Sequence, residues 1–161
     1  MQIYLEQITR EMDSDYYDMI GIVNQMSPDG LIGSVTERYL SSNDNYDRYL
    51  EQKFLREELI KLGYVNTKLL GITYYDPKEQ KELIGNFNVR VLDPTYQTIS
   101  KVVVGADNTM QAMHDSYLGI KETPVVSVMR RVSFGDQKML DIYAEIEPDM
   151  SVSDQLNKEK W

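Results

Sequence analysis

The sequence predicts an α+β fold in which a long N-terminal helix and short helices pack on a roughly five-stranded antiparallel sheet. Three observations lead there. Before Gly63 the apolar residues recur at helical spacing, after it they alternate with the period of a strand, and Val125 to Ile146 has the form of a hairpin. With 161 residues the chain is long enough to bury one core, and it reads as a single domain over 1–161. Its helical portion is 1–62, its sheet portion is 67–146, and 147–161 forms a C-terminal segment.

The first helix is marked by Leu5, Ile8, Met12, Tyr16, Met19, Val23 and Met26, whose steps of three and four trace one stripe. Ile3, Ile20 and Ile22 widen that stripe, as packing on a domain body requires; a partner helix is the second occupant it admits. Gly21 is a mild weakness within it. Ser27-Pro28-Asp29 breaks the helix and predicts another over Pro28 to Leu40, with Ser27 as N-cap and Leu31, Ile32, Val35 and Tyr39 on one side. Beyond the polar loop Ser41-Ser42-Asn43-Asp44-Asn45, a third helix is expected to reach about Leu62. Leu55, Leu59 and Leu62 form its core edge, and Gly63 its C-terminal cap.

Strands are expected over Lys68 to Tyr75 and Glu82 to Val91, joined by the turn Asp76-Pro77-Lys78. Leu83, Phe87, Val89 and Val91 share a face of the second, which Asp93-Pro94 ends. Thr98 to Val104 reads as a third strand, and Asn108 to Tyr117 as a short helix with Met110, Met113 and Leu118 inward. The closing hairpin joins Val125–Val132 to Met139–Ile146. A Gly135-Asp136 loop suits a type II′ turn, with glycine at the first central position. That turn sets Arg130 opposite Asp141, Val128 opposite Tyr143 and Met129 opposite Ile142. Val125, Ser127, Met129, Ile142, Ala144 and Ile146 are then the core face, and Val126, Val128, Arg130, Asp141 and Tyr143 a mixed one. Glu147-Pro148 closes the sheet, and the chain from Ser151 is polar with a helical pattern.

Composition narrows the function. A formal charge of −9 argues against a nucleic-acid surface, which needs clustered Lys and Arg, and disfavours direct docking on an anionic membrane. The chain has no cysteine, so disulfides, thiolate catalysis and Cys-based zinc sites are excluded together. No apolar run approaches the roughly 18 residues of a membrane span. The single histidine, His114, has no second His or Cys beside it to build a metal site or a catalytic set, and reads as an edge residue. The nine glycines form no phosphate-cradling loop. Asp13, Asp15 and Asp18 lie in a helix without the turn glycine of a calcium loop, and read as a solvated face. Neither a catalytic constellation nor a cofactor is expected.

One polar set stands out. Arg130 opposite Asp141 reads first as a cross-strand ion pair worth a fraction of a kcal/mol. It also reads, with Tyr143 and the apolar Val128, as a small polar group on an apolar sheet face, which is what a pocket for a small polar ligand requires. Arg130, Asp141, Tyr143 and Val128 are the candidate ligand-binding residues. The twelve tyrosines suit binding surfaces in general, and Tyr74-Tyr75 must face both ways across a strand.

Four segments carry a resemblance. They are Ile22-Val23-Asn24-Gln25-Met26-Ser27-Pro28-Asp29, Phe54-Leu55-Arg56-Glu57-Glu58-Leu59, Leu70-Gly71-Ile72-Thr73-Tyr74-Tyr75-Asp76-Pro77, and the hairpin Val126–Arg131 with Ile142–Ile146. Taken in order they resemble the Cache-type extracellular sensor domains of bacterial transmembrane histidine kinases. In that family a long helix leaves a first membrane span and packs along a PAS-like antiparallel sheet. The resemblance implies a non-catalytic domain on the extracellular face of the membrane, sensing a small molecule or a solute-binding protein. It implies a homodimer in the full-length receptor, and membrane spans before Met1 and after Trp161. The aromatic-Arg-Asp amino-acid motif of double-lobed members does not appear, so no ligand residue carries over. Pro124 to Ile146 also resembles the effector-binding domain of one group of GntR-type repressors, a reading that leaves the long N-terminal helix without a role. A third reading is an interaction protein that uses the helical stripe to bind a partner helix.

Overall fold

A computed structural model of the chain describes residues 15–85, 107–118, 124–135 and 138–148. The expected start of the first helix, the strand at 98–104, the second strand beyond Gly85 and the polar tail from Ser151 lie outside the described residues. Three helices come first: α1 over 15–26, α2 over Leu31–Ser41 and α3 over Asn45–Val65. Five strands follow: β1 (Leu69–Asp76), β2 (Lys81–Gly85), β3 (Thr109–His114), β4 (Val125–Phe134) and β5 (Lys138–Ile146). They form one antiparallel sheet in the order β2-β1-β5-β4-β3. The α+β, PAS-like architecture expected from the sequence is the one observed.

The stripe of α1 behaves as its spacing requires, with Met19, Ile22, Val23 and Met26 all buried. Its end differs from expectation. Ser27 does not cap α2; its hydroxyl donates to the Val23 carbonyl at 2.7 Å, which closes α1 instead. The Gly30 amide then donates to the Ser27 carbonyl at 2.8 Å, and Gly30 is the N-cap of α2. The two helices meet so closely that a methyl group on Gly33 would strike the Ser27 carbonyl, and one on Gly30 the carbonyls of Asn24 and Gln25. The Asp13/Asp15/Asp18 reading also changes: Asp15 is buried and accepts from Lys68 Nζ at 3.0 Å, tying α1 to the start of β1.

Helix α3 begins at Asp44, whose side chain accepts from the Tyr46 amide. Leu55, Leu59 and Leu62 are its buried edge, as expected. It runs through Gly63 to Val65, because Asn66 does the capping: its amide and its Nδ2 both donate to the Leu62 carbonyl, at 3.0 and 2.9 Å. In the β1–β2 turn, Asp76 Oδ1 accepts from the Lys78 and Glu79 amides at 2.9 and 3.2 Å.

Two expectations about the sheet are corrected. Residues 109–114 form strand β3 rather than a helix; Met, Gln and Ala favour helix locally, but the free side of β4 supplies a ladder partner, pairing Thr109 with Met129 and Gln111 with Ser127. The closing hairpin is shifted by one residue. Phe134 pairs with Lys138, which leaves three loop residues instead of two, and Gly135 takes φ of 62°. Arg131, not Arg130, therefore lies opposite Asp141; Val128 faces Ala144, Met129 faces Tyr143 and Arg130 faces Ile142. A one-residue slip moves a strand's whole apolar set to the opposite face. Val128, Val132 and Phe134 consequently join Leu140, Ile142 and Ala144 in the core beneath the helices.

Tyr74 anchors that core from β1. Its hydroxyl donates to the Met26 carbonyl at 2.5 Å, and its ring meets Phe134 edge-on with centroids 5.9 Å apart. Burial, partly offset by a hydrogen bond with Thr36, pushes the phenol pKa upward and keeps it a donor.

Gly33→Ala tests the α1–α2 contact by the sign of its effect. Alanine is favoured over glycine inside a helix by about 1 kcal/mol. Here the methyl collides with backbone, so the substitution should lower unfolding free energy by about 1–3 kcal/mol, as measured by urea denaturation.

Candidate functional site

The sheet face turned away from the core cluster is polar and buried. Register places it in three rows across the central strands: Tyr75, Asp141 and Arg131; Thr73, Tyr143 and Met129; Gly71, Glu145 and Ser127. Asp141, Tyr143, Glu145 and Ser127 are each 0% exposed. Burying so much polarity is tolerable only where each group finds partners.

Glu145 is the best satisfied of them. Its Oε1 accepts from the Tyr143 hydroxyl at 2.6 Å and from the amides of Tyr117 and Leu118 at 2.7 and 3.3 Å. Its Oε2 accepts from the Ser116 hydroxyl at 2.6 Å. Four fixed donors replace the carboxylate's hydration, and they pin the segment after β3 onto β5. Tyr143 is held protonated: burial, then the neighbouring Glu145 charge and its hydrogen bond, push the phenol pKa far upward.

His114 ends β3 at the edge of this network. Its Nδ1 lies 2.7 Å from the Asp115 carbonyl, which can only accept, so the proton is assigned to Nδ1. In the neutral ring Nε2 then accepts from the Ser127 hydroxyl at 2.5 Å. The imidazole stacks on Tyr117, with centroids 4.4 Å apart. A serine beside an oriented histidine is the pairing that nucleophilic catalysis uses. Ser127, however, is enclosed, and the pair reads as a hydrogen bond that ties β3 to β4.

Asp141 and Arg131 form a two-point pair, Nε to Oδ1 at 2.7 Å and Nη2 to Oδ2 at 3.1 Å. Burial still holds the Asp141 pKa above the usual carboxylate range, against the opposing pull of Arg131; the nearby Asp76 charge pushes the same way as burial. Asp76 shifts downward. Burial opposes its ionisation but is outweighed by the Glu79 amide, by Lys138 at 3.1 Å and by the Lys78 amide.

Of the residues singled out from the sequence, Asp141 and Tyr143 sit together on this face. Arg130 and Val128 do not: Val128 is in the core, and Arg130 reaches α1, where Nη1 donates to Asn24 Oδ1 at 3.3 Å. Sequence reasoning missed Arg131, Ser127 and Glu145. The signal was legible as Asp141-x-Tyr143-x-Glu145, three polar residues at the period of a strand. Two acceptors, Asn108 Oδ1 and Gln111 Oε1, are buried without a hydrogen-bond partner among the described residues, and Gln111 is register partner to Ser127. Among the described residues no group of three acidic or histidine side chains is placed to hold a metal ion, and no helix is long and apolar enough to cross a membrane.

No protein-family model matches the chain, and no curated protein does. Among solved structures, it is similar to the extracellular domain of a protein named as a histidine kinase, at 11% identity and TM-score 0.46, over 98% of this chain and 63% of that one. It is also similar to a domain of a protein from Vibrio parahaemolyticus named for the sensory box/GGDEF family, at 10% identity and TM-score 0.40, over 89% and 61%. The chain thus spans less than two thirds of either neighbour.

Two substitutions check this network. Arg131→Met leaves Asp141 buried without its cation and should cost about 2–4 kcal/mol, a range discounted because the guanidinium is 25% exposed. A carboxyl whose folded pKa is raised contributes stability below its unfolded pKa and loses it as pH rises through the folded value. The Arg131→Met deficit should therefore be larger at about pH 8 than at about pH 5 in urea melts. Glu145→Ala strands four donors and should cost about 3–5 kcal/mol, whereas Glu145→Gln retains acceptor Oε1 and should cost about 1–2 kcal/mol; differential scanning calorimetry ranks the two.

Proposed function

We propose that this chain is a non-catalytic sensor domain of a bacterial transmembrane histidine kinase, displayed on the extracellular face of the membrane. Its signal would be a small polar molecule, or a solute-binding protein that delivers one. The membrane spans, the kinase portion and a receptor homodimer belong to the parent polypeptide in this reading. The observation that carries it is the buried polar face of the sheet, opposite the helical layer, on which the Gln111 acceptor lacks a partner among the described residues. A ligand donating to such acceptors satisfies groups that otherwise cost free energy to bury.

In this proposal the ligand bonds Gln111, with Arg131 at the rim, and Asp141 and Tyr143 lie behind them as buried groups that hold Arg131 and Glu145 in place. Transmission would run through β1, where Tyr75 faces the ligand side and Tyr74, the residue before it, bonds the last turn of α1. Arg130, reaching Asn24 of α1, and Val128, in the core beneath the helices, belong to that output side. A ligand that prefers one β1 position biases α1 by its difference in affinity between the two states.

A thermal-shift screen of small polar metabolites tests this. A ligand that raises the wild-type melting temperature should bind at least about tenfold more weakly to Gln111→Leu, a loss of about 1.4 kcal/mol, and unchanged to Arg130→Ala. The reverse pattern would place the site on the helix side and sink the assignment.

A further inference from the structure

Helix α3 carries apolar side chains on two opposite faces. Leu55, Leu59 and Leu62 point into the core. Diametrically opposite, Tyr46, Leu50, Lys53, Glu57, Ile60 and Tyr64 follow one another in steps of four and three, the spacing of a coiled-coil seam. All six are exposed, Tyr46 by 65% and Tyr64 by 81%, and Leu50 and Ile60 by 43% and 39%. Tyr49, Phe54 and Val65 of α3 are exposed as well and lie off this line, so what singles the seam out is the order of its residues.

The order of residues along the seam specifies a partner. Read from either end it is tyrosine, aliphatic, charge, charge, aliphatic, tyrosine, and the two charges have opposite sign. A second copy lying antiparallel, with the two-fold axis at Leu55, sets Tyr46 against Tyr64, Leu50 against Ile60 and Lys53 against Glu57, each twice. A parallel copy would set Lys53 against Lys53 and Glu57 against Glu57, a repulsion that selects against that orientation. Twenty-one residues give a seam about 30 Å long. We infer that the outward face of α3 is an antiparallel, two-fold homodimer interface between copies of this chain. A two-fold contact of this kind uses the same patch on both subunits and closes on itself. The inference stands independently of the sensor reading.

Sedimentation velocity on the 161-residue chain, over about 1–100 µM, should show a concentration-dependent dimer. Lys53→Glu and Glu57→Lys, each alone, place like charges across the centre and should weaken dimerisation at least about tenfold. The double variant restores the pairing and should recover most of the loss. Far-UV circular dichroism confirms that these surface variants remain folded. Orientation is read separately, since the chain has no cysteine of its own. Leu50→Cys/Ile60→Cys should form disulfide-linked dimers on mild oxidation, while Lys53→Cys alone should not. A monomer at every concentration, a dimer indifferent to the charge swaps, or ready cross-linking of Lys53→Cys would each overturn the proposal.

Discussion

Phe134 pairs with Lys138 across the closing hairpin, and that registration decides what each face of the sheet contains. β5 is central among the described strands, with β1 on one side and β4 on the other. Its alternation sends Leu140, Ile142, Ala144 and Ile146 toward the helices, and Asp141, Tyr143 and Glu145 away from them. β4 must match, and the third loop residue makes it do so. With a loop one residue shorter, Ser127 and Arg131 would pair with Ala144 and Leu140 on the apolar side, while Val128 and Val132 met Tyr143 and Met139 on the other. Gly135 makes the longer loop possible, because φ of 62° is open to glycine and strained for most other residues.

Each face is then stabilised by different physics. Beneath the helices the sheet buries aliphatic and aromatic surface, and the main polar requirement there, the Tyr74 hydroxyl, is met by the Met26 carbonyl. On the other side side-chain hydrogen bonds do the work. Glu145 gathers four donors, Asp141 accepts from Nε and Nη2 of Arg131, and His114 links β3 to Ser127. Such directional bonding rewards one arrangement of the strands and penalises small displacements.

Much of the fold was legible in the sequence because it follows from periodicity. Leu55, Leu59 and Leu62, the Met19-to-Met26 stripe, and four of the five described strands were all visible as patterns of three, four or two. What was not legible depends on partners distant in the chain. Ser27 has the chemistry of an N-cap, and only the position of the Val23 carbonyl decides that it closes a helix. Gly63 resembles a helix stop, yet Asn66 is better placed to satisfy Leu62. Residues 109–114 have helical propensity, overridden by the open side of β4. The candidate site was half visible. Asp141 and Tyr143 could be read from the hairpin, but choosing between Arg130 and Arg131 required the loop length, which Gly135-Asp136-Gln137 leaves ambiguous.

The pairing of β1 with β5 has a consequence for how the protein comes to exist. Thr73 meets Tyr143 across about 70 residues of intervening chain, so the two central strands are made far apart in time. Closing a loop of that length costs entropy before any ladder bond forms, and such topologies fold slowly. On the ribosome, α1 to α3 and β1 emerge with their apolar sides uncovered, and only the last described strand supplies the surface that completes the core. Without β5 the helical layer lacks Leu140, Ile142, Ala144 and Ile146, the residues of the central strand that cover it. Completion of this core is therefore expected to wait for β5, the last of the described strands.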